Sequence, residues 1–292
     1  MTRPYAAVVV LHESRDELSA LLRSLEPIAG PRLIVVDTGA DDGGAQLARE
    51  HGAEVIERRD NPGFGAATNL GLERVSEDVA VLLNPDVEAI GDSLPRLAAI
   101  AAEHDGLHAP RLLNRDGSVQ RSAHPLPGTL GALLPAVIHP PLLPAAIRDR
   151  AEPYRSTRAR SVGWAIAACL AARTDTLRRF PFDPATHLYA EDMELCLRAR
   201  DAGVPTVYHP QLILRHAGGH SLYRQGEPHE RLAARRREAI EATRGGRARR
   251  LDDAAQLLTF AIRAAVKRPN QRERAQLNAL LKQRDPGGPG SN

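Results

Sequence analysis

Short apolar runs alternate with helical periodicity over the first hundred residues. Four apolar runs predict strands, and the amphipathic stretches that follow them predict helices. The predicted strands are Ala6–Leu11, Leu33–Val36, Val55–Ile56 and Val79–Leu83, and the predicted helices are Asp16–Leu25, Gly44–Glu50, Phe64–Val75 and Ser93–Ala102. Four consecutive apolar residues, as in Leu33–Val36, are typical of a strand buried on both faces. The pattern therefore predicts an α/β fold with a mostly parallel, Rossmann-like central sheet flanked by helices.

The pattern changes at Pro125, where prolines become frequent. Seven prolines between Pro125 and Pro153 preclude one long helix and predict a loop-rich insertion at about residues 125–155. Within it, Leu126–Ile147 carries no charged residue, which in water calls for burial or for contact with a lipid or protein surface. Regular structure is predicted again at Val162–Ala172, in a helix at Glu191–Asp201 and in a strand at Leu212–Leu214.

The C-terminal part of the chain is helical in pattern and basic. Residues 223–292 hold 16 Lys and Arg against 8 Asp and Glu, a net charge of +8, whereas the preceding residues hold 23 against 28, a net charge of −5. We therefore predict a main domain at 1–222 that includes the insertion, a helical basic extension at 223–284 and a disordered Gly/Pro-rich tail at 285–292. The insertion and the extension fit attachment to an anionic membrane surface, and equally a packed insertion with an Arg-rich solvated face or a homodimer contact.

Composition excludes several classes of protein. Aromatic residues make up 3% of the chain, too few for the stacked rings of single-strand nucleic-acid binders, so no nucleic-acid partner is expected. The two cysteines, Cys169 and Cys196, form neither a disulfide framework nor a pair at metal-ligand spacing. The N-terminus lacks a signal sequence, and no apolar stretch reaches the length of a membrane span. A cytoplasmic protein, or one held peripherally on the inner face of the cell membrane, is expected.

Residues with binding chemistry follow the predicted strands at the edge where α/β sheets bind ligands. They are Glu13 after the first strand, Asp37 after the second, and Asn84 and Asp86 after the fourth. A carboxylate such as Asp37 can accept hydrogen bonds from ribose hydroxyls or from a base N–H. Asp86 can ligate Mg²⁺ or Mn²⁺, which take one or two protein carboxylates and complete their shell with phosphate oxygens and water. Both residue types are also common in turns, so each alone leaves the two interpretations open.

Two further motifs come later in the chain. Small residues between Gly63 and Asn69, at a predicted helix start, leave backbone N–H groups available to a diphosphate, although packing also favours glycine there. Glu191, Asp192 and Glu194 cluster at another helix start, where neighbouring acids raise one another's pKa and can leave one tuned as a base. His216 lies in a Gly-rich stretch and can offer a neutral nitrogen to a metal, although a lone histidine is usually structural.

Taken in order, these motifs resemble the family-2 glycosyltransferases of the GT-A fold, in particular their rhamnosyltransferase-like bacterial branch. The resemblance covers about residues 5–222. It implies that the segment with Leu11 and Glu13 contacts the nucleotide together with Asp37. It also implies that Gly63, Phe64 and Asn69 lie over the donor. Asn84 and Asp86, which form the metal motif, would also bind the donor.

For catalysis, the resemblance implies that Asp192, with Glu191 beside it, is the base that deprotonates the acceptor. Asp86 and His216 would bind a divalent metal, and Gly163 and Trp164 would lie on the acceptor side. The implied reaction is an inverting displacement that moves a hexose from a dTDP-, UDP- or GDP-linked donor to a glycan or polyprenyl-linked acceptor in cell-envelope polysaccharide synthesis.

The chain departs from the family pattern at a few positions, and these keep two alternatives open. Glu13 stands where Asn is common, Asn84 and Glu194 replace aspartates of the metal and base motifs, and Pro181 occupies a Gly-Gly-Phe region. A catalytically degenerate scaffold protein is one alternative. A sugar-nucleotide pyrophosphorylase is the other, although the first strand lacks the Gly-rich, Lys- or Arg-bearing signature of that class.

Overall fold

The computed structural model describes residues 5–129, 131–133, 138, 144–184, 190–218, 229–266 and 269–283. The chain forms two compact units. The first comprises residues 1–123 and 154–220, and the second comprises residues 124–153 and 221–292. The segment assigned from sequence to an insertion in the main domain thus groups with the C-terminal helices, and the chain leaves the first unit close to the predicted boundary at residue 222.

The strands and helices of the described chain are the following. The strands are β1 (Ala6–Leu11), β2 (Arg32–Asp37), β3 (Glu54–Glu57), β4 (Val79–Leu83), β5 (Val87–Ala89), β6 (Leu107–Leu113), β7 (Ala123–His124), β8 (Arg160–Val162), β9 (Trp164–Ala165), β10 (Cys169–Arg173) and β11 (Thr206–His216). The helices are α1 (Arg15–Leu25), α2 (Gly44–Glu50), α3 (Phe64–Glu73), α4 (Ser93–Glu103), α5 (Ala145–Ala151), α6 (Thr174–Arg179), α7 (Glu191–Asp201), α8 (His229–Val266) and α9 (Gln271–Lys282), with a short 3₁₀ turn at Pro153–Arg155.

Nine described strands form the main sheet of the first unit. Their order is β3-β2-β1-β4-β10-β6-β11-β5, with β8 paired to β11. Strands β1 to β4 are parallel to one another, β10 is antiparallel to its neighbours β4 and β6, and β11 is parallel to β6. Because the carboxyl ends of β1, β2, β3 and β4 meet at one edge, the loops that follow these strands lie together.

Helices cover both faces of this sheet. Along β1, Ala7 and Val9 face one core with α1 and α4, whereas Ala6 and Val8 face a second core with α3, α6 and α7. This burial on both faces is what the continuous apolar strands predict. At the closest approach, a Cβ at Gly71 of α3 would lie 2.4 Å from Val8, so the helix packs on the sheet only with glycine there.

The eight elements predicted for the first hundred residues are all present, with ends within two residues of the prediction. The α7 bounds match as well. Strands β5, β6 and β7 and helices α5 and α6 were not predicted, and β11 is an 11-residue strand although the sequence predicted only Leu212–Leu214. β6 and β11 bury polar side chains, which interrupt the apolar runs that predict strands.

The second unit contains α8 and α9, which confirms that the C-terminal region is helical. Gly245 has φ 78° and ψ 170°, so α8 is two helices, 229–244 and 246–266. Arg236 and Asp252 form an ion pair at 2.7 Å across this break, as do Arg237 and Asp253 at 3.2 Å, so the two halves fold back on each other.

Parts of the sequence predictions fall outside the described residues. These are the tail at 285–292, most of the apolar stretch at 130–143 and residues 219–228 after His216. Among the residues that are described, no helix combines the length and the apolarity that crossing a membrane requires.

Candidate active site

The loops after β1 and β2 are packed tightly against each other. The Leu11 carbonyl accepts hydrogen bonds from the Thr38 amide (2.9 Å) and from the Thr38 hydroxyl (2.8 Å). Glu13 has a left-handed backbone with φ 51°, which is uncommon outside glycine. A Cβ at Gly39 would lie 2.6 Å from the Glu13 nitrogen, so only glycine allows this approach. The first two strands therefore present Glu13 and the end of β2 side by side.

Asp37, the last residue of β2, is buried at this edge. Its carboxylate accepts a hydrogen bond from the Gly39 amide (3.2 Å) and pairs with the Arg59 guanidinium (3.2 Å). Burial raises the pKa of Asp37, and the Gly39 amide and Arg59 offset part of that rise. Sequence reasoning missed Arg59, although its position two residues after β3 at the same edge could have indicated it.

The start of α3 lies beside these loops. Gly63 has φ 89° and precedes the first helical residue, Phe64. The Phe64 ring packs edge-on against the Phe182 ring with centroids 5.8 Å apart. A Cβ at Gly65 would lie 2.8 Å from the Phe182 Cβ. Close packing of the helix start is thus one reason for its glycines, beside the anion-binding role that the sequence suggests.

Asn69 joins α3 to the segment that leads to α7. Its side-chain amide donates to the Phe182 carbonyl (2.8 Å), and its side-chain oxygen accepts from the Phe182 amide (3.0 Å). Both ends of the carboxamide are therefore occupied by one backbone residue 113 positions away. The predicted contact of Asn69 with the donor stays a prediction.

The segment after β4 carries Asn84 and Asp86, and β11 brings His216 to them. The Asp86 Oδ1 lies 3.2 Å from His216 Nε2, and both side chains are largely buried, with exposed fractions of 8% and 10%. The Gly218 amide donates to the other carboxylate oxygen (3.0 Å), and the Asn84 amide nitrogen lies 3.5 Å from His216 Nε2. Burial acts to raise the pKa of Asp86, but the hydrogen bonds from His216 and Gly218 outweigh it, so this pKa lies below its usual value.

The other ring nitrogen of His216, Nδ1, contacts Gln120. His216 Nδ1 lies 2.8 Å from the Gln120 oxygen, and the Gln120 amide donates to the Asn114 side-chain oxygen (3.1 Å). Nδ1 therefore carries a proton that it donates to Gln120. Nε2 then faces the Asp86 carboxylate at 3.2 Å, and a cation bound at this pair would take the Nε2 lone pair.

The Asp86–His216 pair fits a divalent cation. Two neighbouring ligands of an octahedral ion, with bonds of about 2.1 Å, lie about 3 Å apart, close to the 3.2 Å between these atoms. In the described ranges, no group of three His, Cys, Asp or Glu side chains surrounds a common point. A cation at Asp86 and His216 would therefore depend on phosphate oxygens and water for the rest of its shell.

Asp192 lies in the first turn of α7. Its carboxylate accepts hydrogen bonds from the backbone amides of Met193 (2.7 Å) and Ala167. Burial nevertheless dominates and raises the pKa of Asp192 to about 6. Ala190, immediately before the helix, has a left-handed φ of 65°, which fixes the direction in which the chain enters α7. Sequence reasoning expected acid–acid repulsion to raise this pKa, whereas burial is the main cause.

The neighbours of Asp192 have structural contacts. Glu194 pairs with Arg198 at 2.5 Å, so this departure from the family motif is an i,i+4 ion pair within α7. Glu191 is half-buried in the first turn of the helix. Gly163 is buried, and Trp164 packs on the second core beside the segment that reaches Ala167.

The segment Ala167–Ala168 contacts both the loop that carries Asp86 and the first turn of α7, which carries Asp192. The Ala168 carbonyl accepts a hydrogen bond from the Asn84 amide (2.9 Å), and the Ala167 amide donates to Asp192. Adjacent residues thus hold the loop of Asp86 and the first turn of α7. This places a candidate base and a candidate metal ligand at the same edge of the sheet.

The family model described as glycosyl transferase family 2 matches residues 7–166, which is more than half of the chain. The chain belongs to glycosyl transferase family 2. The match covers β1 to β9 and therefore the loops of Glu13, Asp37, Asp86 and Trp164. It ends before α7 and β11, which supply Asp192 and His216.

Curated relatives extend the similarity of this family-2 protein beyond that match. An N-acetylglucosaminyl-diphospho-decaprenol L-rhamnosyltransferase of Mycobacterium tuberculosis is 29% identical over 258 residues, which is 80% of this chain and 82% of that protein. Glycosyltransferases of mycobacteria whose activity is not described are 31% identical over 96 residues, 32% of this chain and 43% of those proteins.

Solved structures with the same fold bind nucleotides. The mannosyltransferase PcManGT of Pyrobaculum calidifontis, solved with GDP-Man and Mn²⁺, aligns over 96% of this chain and 85% of its own, with a TM-score of 0.57 and 14% identity. Glucosyl-3-phosphoglycerate synthase of M. tuberculosis, solved with Mg²⁺ and UDP, aligns over 83% and 80%, with a TM-score of 0.53 and 17% identity. At these identities the likeness shows the fold alone, and it confirms the predicted GT-A-like architecture.

Proposed function

We propose that this family-2 glycosyltransferase moves a sugar from a nucleoside-diphosphate donor to a hydroxyl of a polyprenyl-linked glycan, with inversion at the anomeric carbon. The observation that carries the proposal is that adjacent residues, Ala167 and Ala168, hydrogen-bond to Asp192 and to the loop of the Asp86–His216 pair. An inverting transferase needs one base for the acceptor hydroxyl and one site for the diphosphate, and these two groups meet both needs.

Asp192 is the base in this proposal. With a pKa of about 6 it is ionised at neutral pH yet basic enough to take a proton as the acceptor oxygen attacks. The new bond forms between that oxygen and the anomeric carbon, and the bond from that carbon to the diphosphate breaks on the opposite side. The proton ends on Asp192, and the electron pair leaves with the nucleoside diphosphate.

Asp86 and His216 hold the diphosphate end of the donor. A divalent cation bound by them would supply positive charge against the phosphates, which is the usual contribution of such ions. Asp37 ends β2, and Arg59, two residues after β3, pairs with it at the edge where the base and ribose dock in sheets of this kind, so we assign the nucleoside to these two residues. Gly63 and Phe64 then cover the sugar diphosphate.

The substrate class follows from the M. tuberculosis relative, whose donor sugar is L-rhamnose and whose acceptor is N-acetylglucosaminyl-diphospho-decaprenol. We propose the same class here: a dTDP-, UDP- or GDP-linked donor, with rhamnose as the first sugar to test, and a lipid diphosphate that carries a sugar. Such a product belongs to cell-envelope polysaccharide synthesis.

Transfer to a short-chain polyprenyl-diphosphate N-acetylglucosamine tests the proposal. Purified protein with Mn²⁺ or Mg²⁺ is incubated with rhamnose and hexose donors on all three nucleotides, and the product is read by mass spectrometry and its anomeric configuration by NMR. We expect one donor to give a product of inverted configuration. Asp192→Asn should give less than about 0.1% of that rate while binding the donor within about threefold of wild type.

Other outcomes separate the alternatives. A product that retains the donor configuration would contradict inversion, and turnover by Asp192→Asn near wild type would contradict the assignment of the base. Donor binding with neither transfer nor slow hydrolysis in any combination would support the scaffold alternative. Formation of a nucleotide sugar from a sugar phosphate and a nucleoside triphosphate would support a pyrophosphorylase.

A further inference from the structure

The second half of α8, residues 246–266, turns an unusual set of side chains to solvent. Ten side chains of this described segment are exposed; seven of them are apolar, three are arginines and none is acidic. Soluble helices usually show the opposite arrangement, with apolar residues inward and mixed charges outward. We call the exposed set the α8 face: Arg247, Arg250, Leu251, Ala254, Leu258, Ala261, Ile262, Arg263, Ala265 and Val266.

The large apolar residues of the α8 face form one stripe. Leu251, Leu258, Ile262 and Val266 follow the spacing i, i+7, i+11 and i+15, which places them on one side of a helix. Their exposed fractions are 46%, 38%, 42% and 79%. Among the described residues of the first unit, only Val119 is a comparably exposed large apolar side chain, at 37%. In the second unit Ile138, Ile147 and Leu281 are also exposed, at 38%, 42% and 49%, but α8 is the described element that carries four such side chains on one side.

The two acidic residues of the segment 246–266, Asp252 and Asp253, point inward. Asp252 is buried, with an exposed fraction of 2%, and pairs with Arg236. Asp253 pairs with Arg237 and with Arg249. The ion pairs that hold the two halves of α8 together thus use the acids of this segment. Arg247, Arg250 and Arg263 are exposed beside the apolar stripe, and the Arg263 guanidinium lies over the Phe260 ring at 6.0 Å.

We infer that the α8 face docks on an anionic phospholipid surface. Apolar side chains that enter the interface, with arginines beside them that meet lipid phosphates, are the two features that hold a helix in the plane of a membrane. A second copy of the chain fits less well, because a two-fold contact would set the arginines of one face against those of the other. The inference deepens the proposed function and rests on it, because a lipid-linked acceptor lies at a membrane surface.

Flotation of the full-length protein with vesicles tests the inference. Vesicles of phosphatidylcholine with about 30% phosphatidylglycerol are compared with vesicles of phosphatidylcholine alone. We expect partition onto the anionic vesicles that exceeds partition onto the neutral ones by about tenfold or more, and that falls as salt is raised.

Two pairs of substitutions on exposed positions separate the two contributions. Leu258→Gln with Ile262→Gln should lower partition onto anionic vesicles by about tenfold or more, since two side chains lose their apolar contact. Arg247→Gln with Arg250→Gln should lower it by a similar factor on anionic vesicles and leave neutral vesicles unchanged. Val119→Gln, at matched exposure in the first unit, is the control and should bind as wild type.

The result that overturns the inference is a full-length protein that does not float with anionic vesicles, or a Leu258→Gln, Ile262→Gln variant that floats as wild type. Self-association that this variant abolishes, without vesicle binding by wild type, would assign the face to a second copy and also overturn it. Release of nucleoside diphosphate from the donor in lipid-free buffer is measured on the same samples. That activity tests the proposed function separately from vesicle binding.

Discussion

At the scale of single residues, Asp192 links the chemistry to pH. Its pKa is about 6, and a base acts only when deprotonated. We therefore expect kcat/KM to rise about tenfold per pH unit below about pH 6 and to level off above it. Steady-state rates between pH 4.5 and 8 at saturating metal check this, with donor binding followed in parallel. A profile that is flat through pH 6 would contradict the role of Asp192.

The same pKa shift predicts an effect on stability. Because the folded pKa lies above the usual value of about 3.9, the folded state prefers the neutral acid, and ionisation of Asp192 costs stability as pH rises from about 4 to 6. Asp192→Asn should therefore raise the free energy of unfolding by on the order of 1–3 kcal/mol at pH 7.5. The gain should shrink towards pH 4. Denaturant unfolding at both pH values measures it, and an equal change at both would exclude ionisation as the cause.

The Asp86–His216 pair predicts that transfer depends on a divalent metal. Variants of the pair and of its partner Gln120 should lose metal binding to different degrees. Asp86→Ala should remove Mn²⁺ binding, seen by electron paramagnetic resonance in the presence of nucleoside diphosphate, together with metal-stimulated transfer. Gln120→Ala, which removes the partner of His216 Nδ1, should weaken Mn²⁺ binding about tenfold to a hundredfold. Gln46→Ala, on the surface of α2, is the control. Full activity after treatment with a chelator would show that the pair has another role.

Sequence reasoning located the carboxylates of the site because each follows a strongly apolar strand or begins an amphipathic helix. It could not locate Arg59 or Gln120. Arg59 acts on Asp37 from 22 residues away, and Gln120 acts on His216 from 96 residues away. Neither residue belongs to a periodic pattern of apolar positions, so the sequence does not indicate these contacts. Only the folded chain shows which ring nitrogen of His216 faces Asp86.

At the scale of elements, Asn69 couples α3 to the entry of α7. Loss of its carboxamide leaves the Phe182 amide and carbonyl without those partners, which typically costs about 1–3 kcal/mol. We expect Asn69→Ala to lower the free energy of unfolding by that amount and to lower kcat, with donor affinity within about threefold of wild type. Urea unfolding and donor titration measure the two effects.

The control for Asn69 lies at the start of the same helix. Asn61 has φ 43° and reaches the Gly63 amide only at 3.4 Å, so Asn61→Gly removes a weak contact at a position that suits glycine. It should change stability by less than about 0.5 kcal/mol. A large loss of donor affinity in Asn69→Ala with unchanged stability would instead support the direct donor contact that the sequence suggests.

Two of the strands that sequence reasoning missed or shortened, β6 and β11, bury polar side chains. β6 and β11 place His108 and His209 3.0 Å apart in the protein interior, and burial lowers the pKa of His209 to about 4. A polar residue within a short segment breaks the apolar run that predicts a strand. His108 and His209 are 101 residues apart in sequence and pair only in the folded chain. The sequence does not indicate this pairing, so β6 was not predicted and β11 was predicted too short.

At the scale of the whole molecule, charge is divided between the two units. The basic excess predicted for the C-terminal region lies in the second unit, while the acids of the first unit include the candidate base and metal ligand. The second unit buries little apolar surface in α8, where Asp252 and Ala255 occupy inward positions. Its fold therefore depends on ion pairs to a degree that the first unit, with its two apolar cores, does not.

The Arg236–Asp252 pair is the strongest test of that dependence. Asp252→Ala leaves the Arg236 guanidinium without its carboxylate partner at a site where Asp252 is 2% exposed, which typically costs about 3–5 kcal/mol. Hydrogen exchange should then accelerate across 229–266 and stay slow in β1, β2 and β4.

Glu238→Ala, which breaks an exposed pair with Arg235, should cost less than about 1 kcal/mol. Arg236→Met with Asp252→Leu should restore protection, because the pair is then replaced by apolar contact. Equal acceleration in both units would mean that they unfold as one, and no acceleration would mean that the helices are held by packing alone.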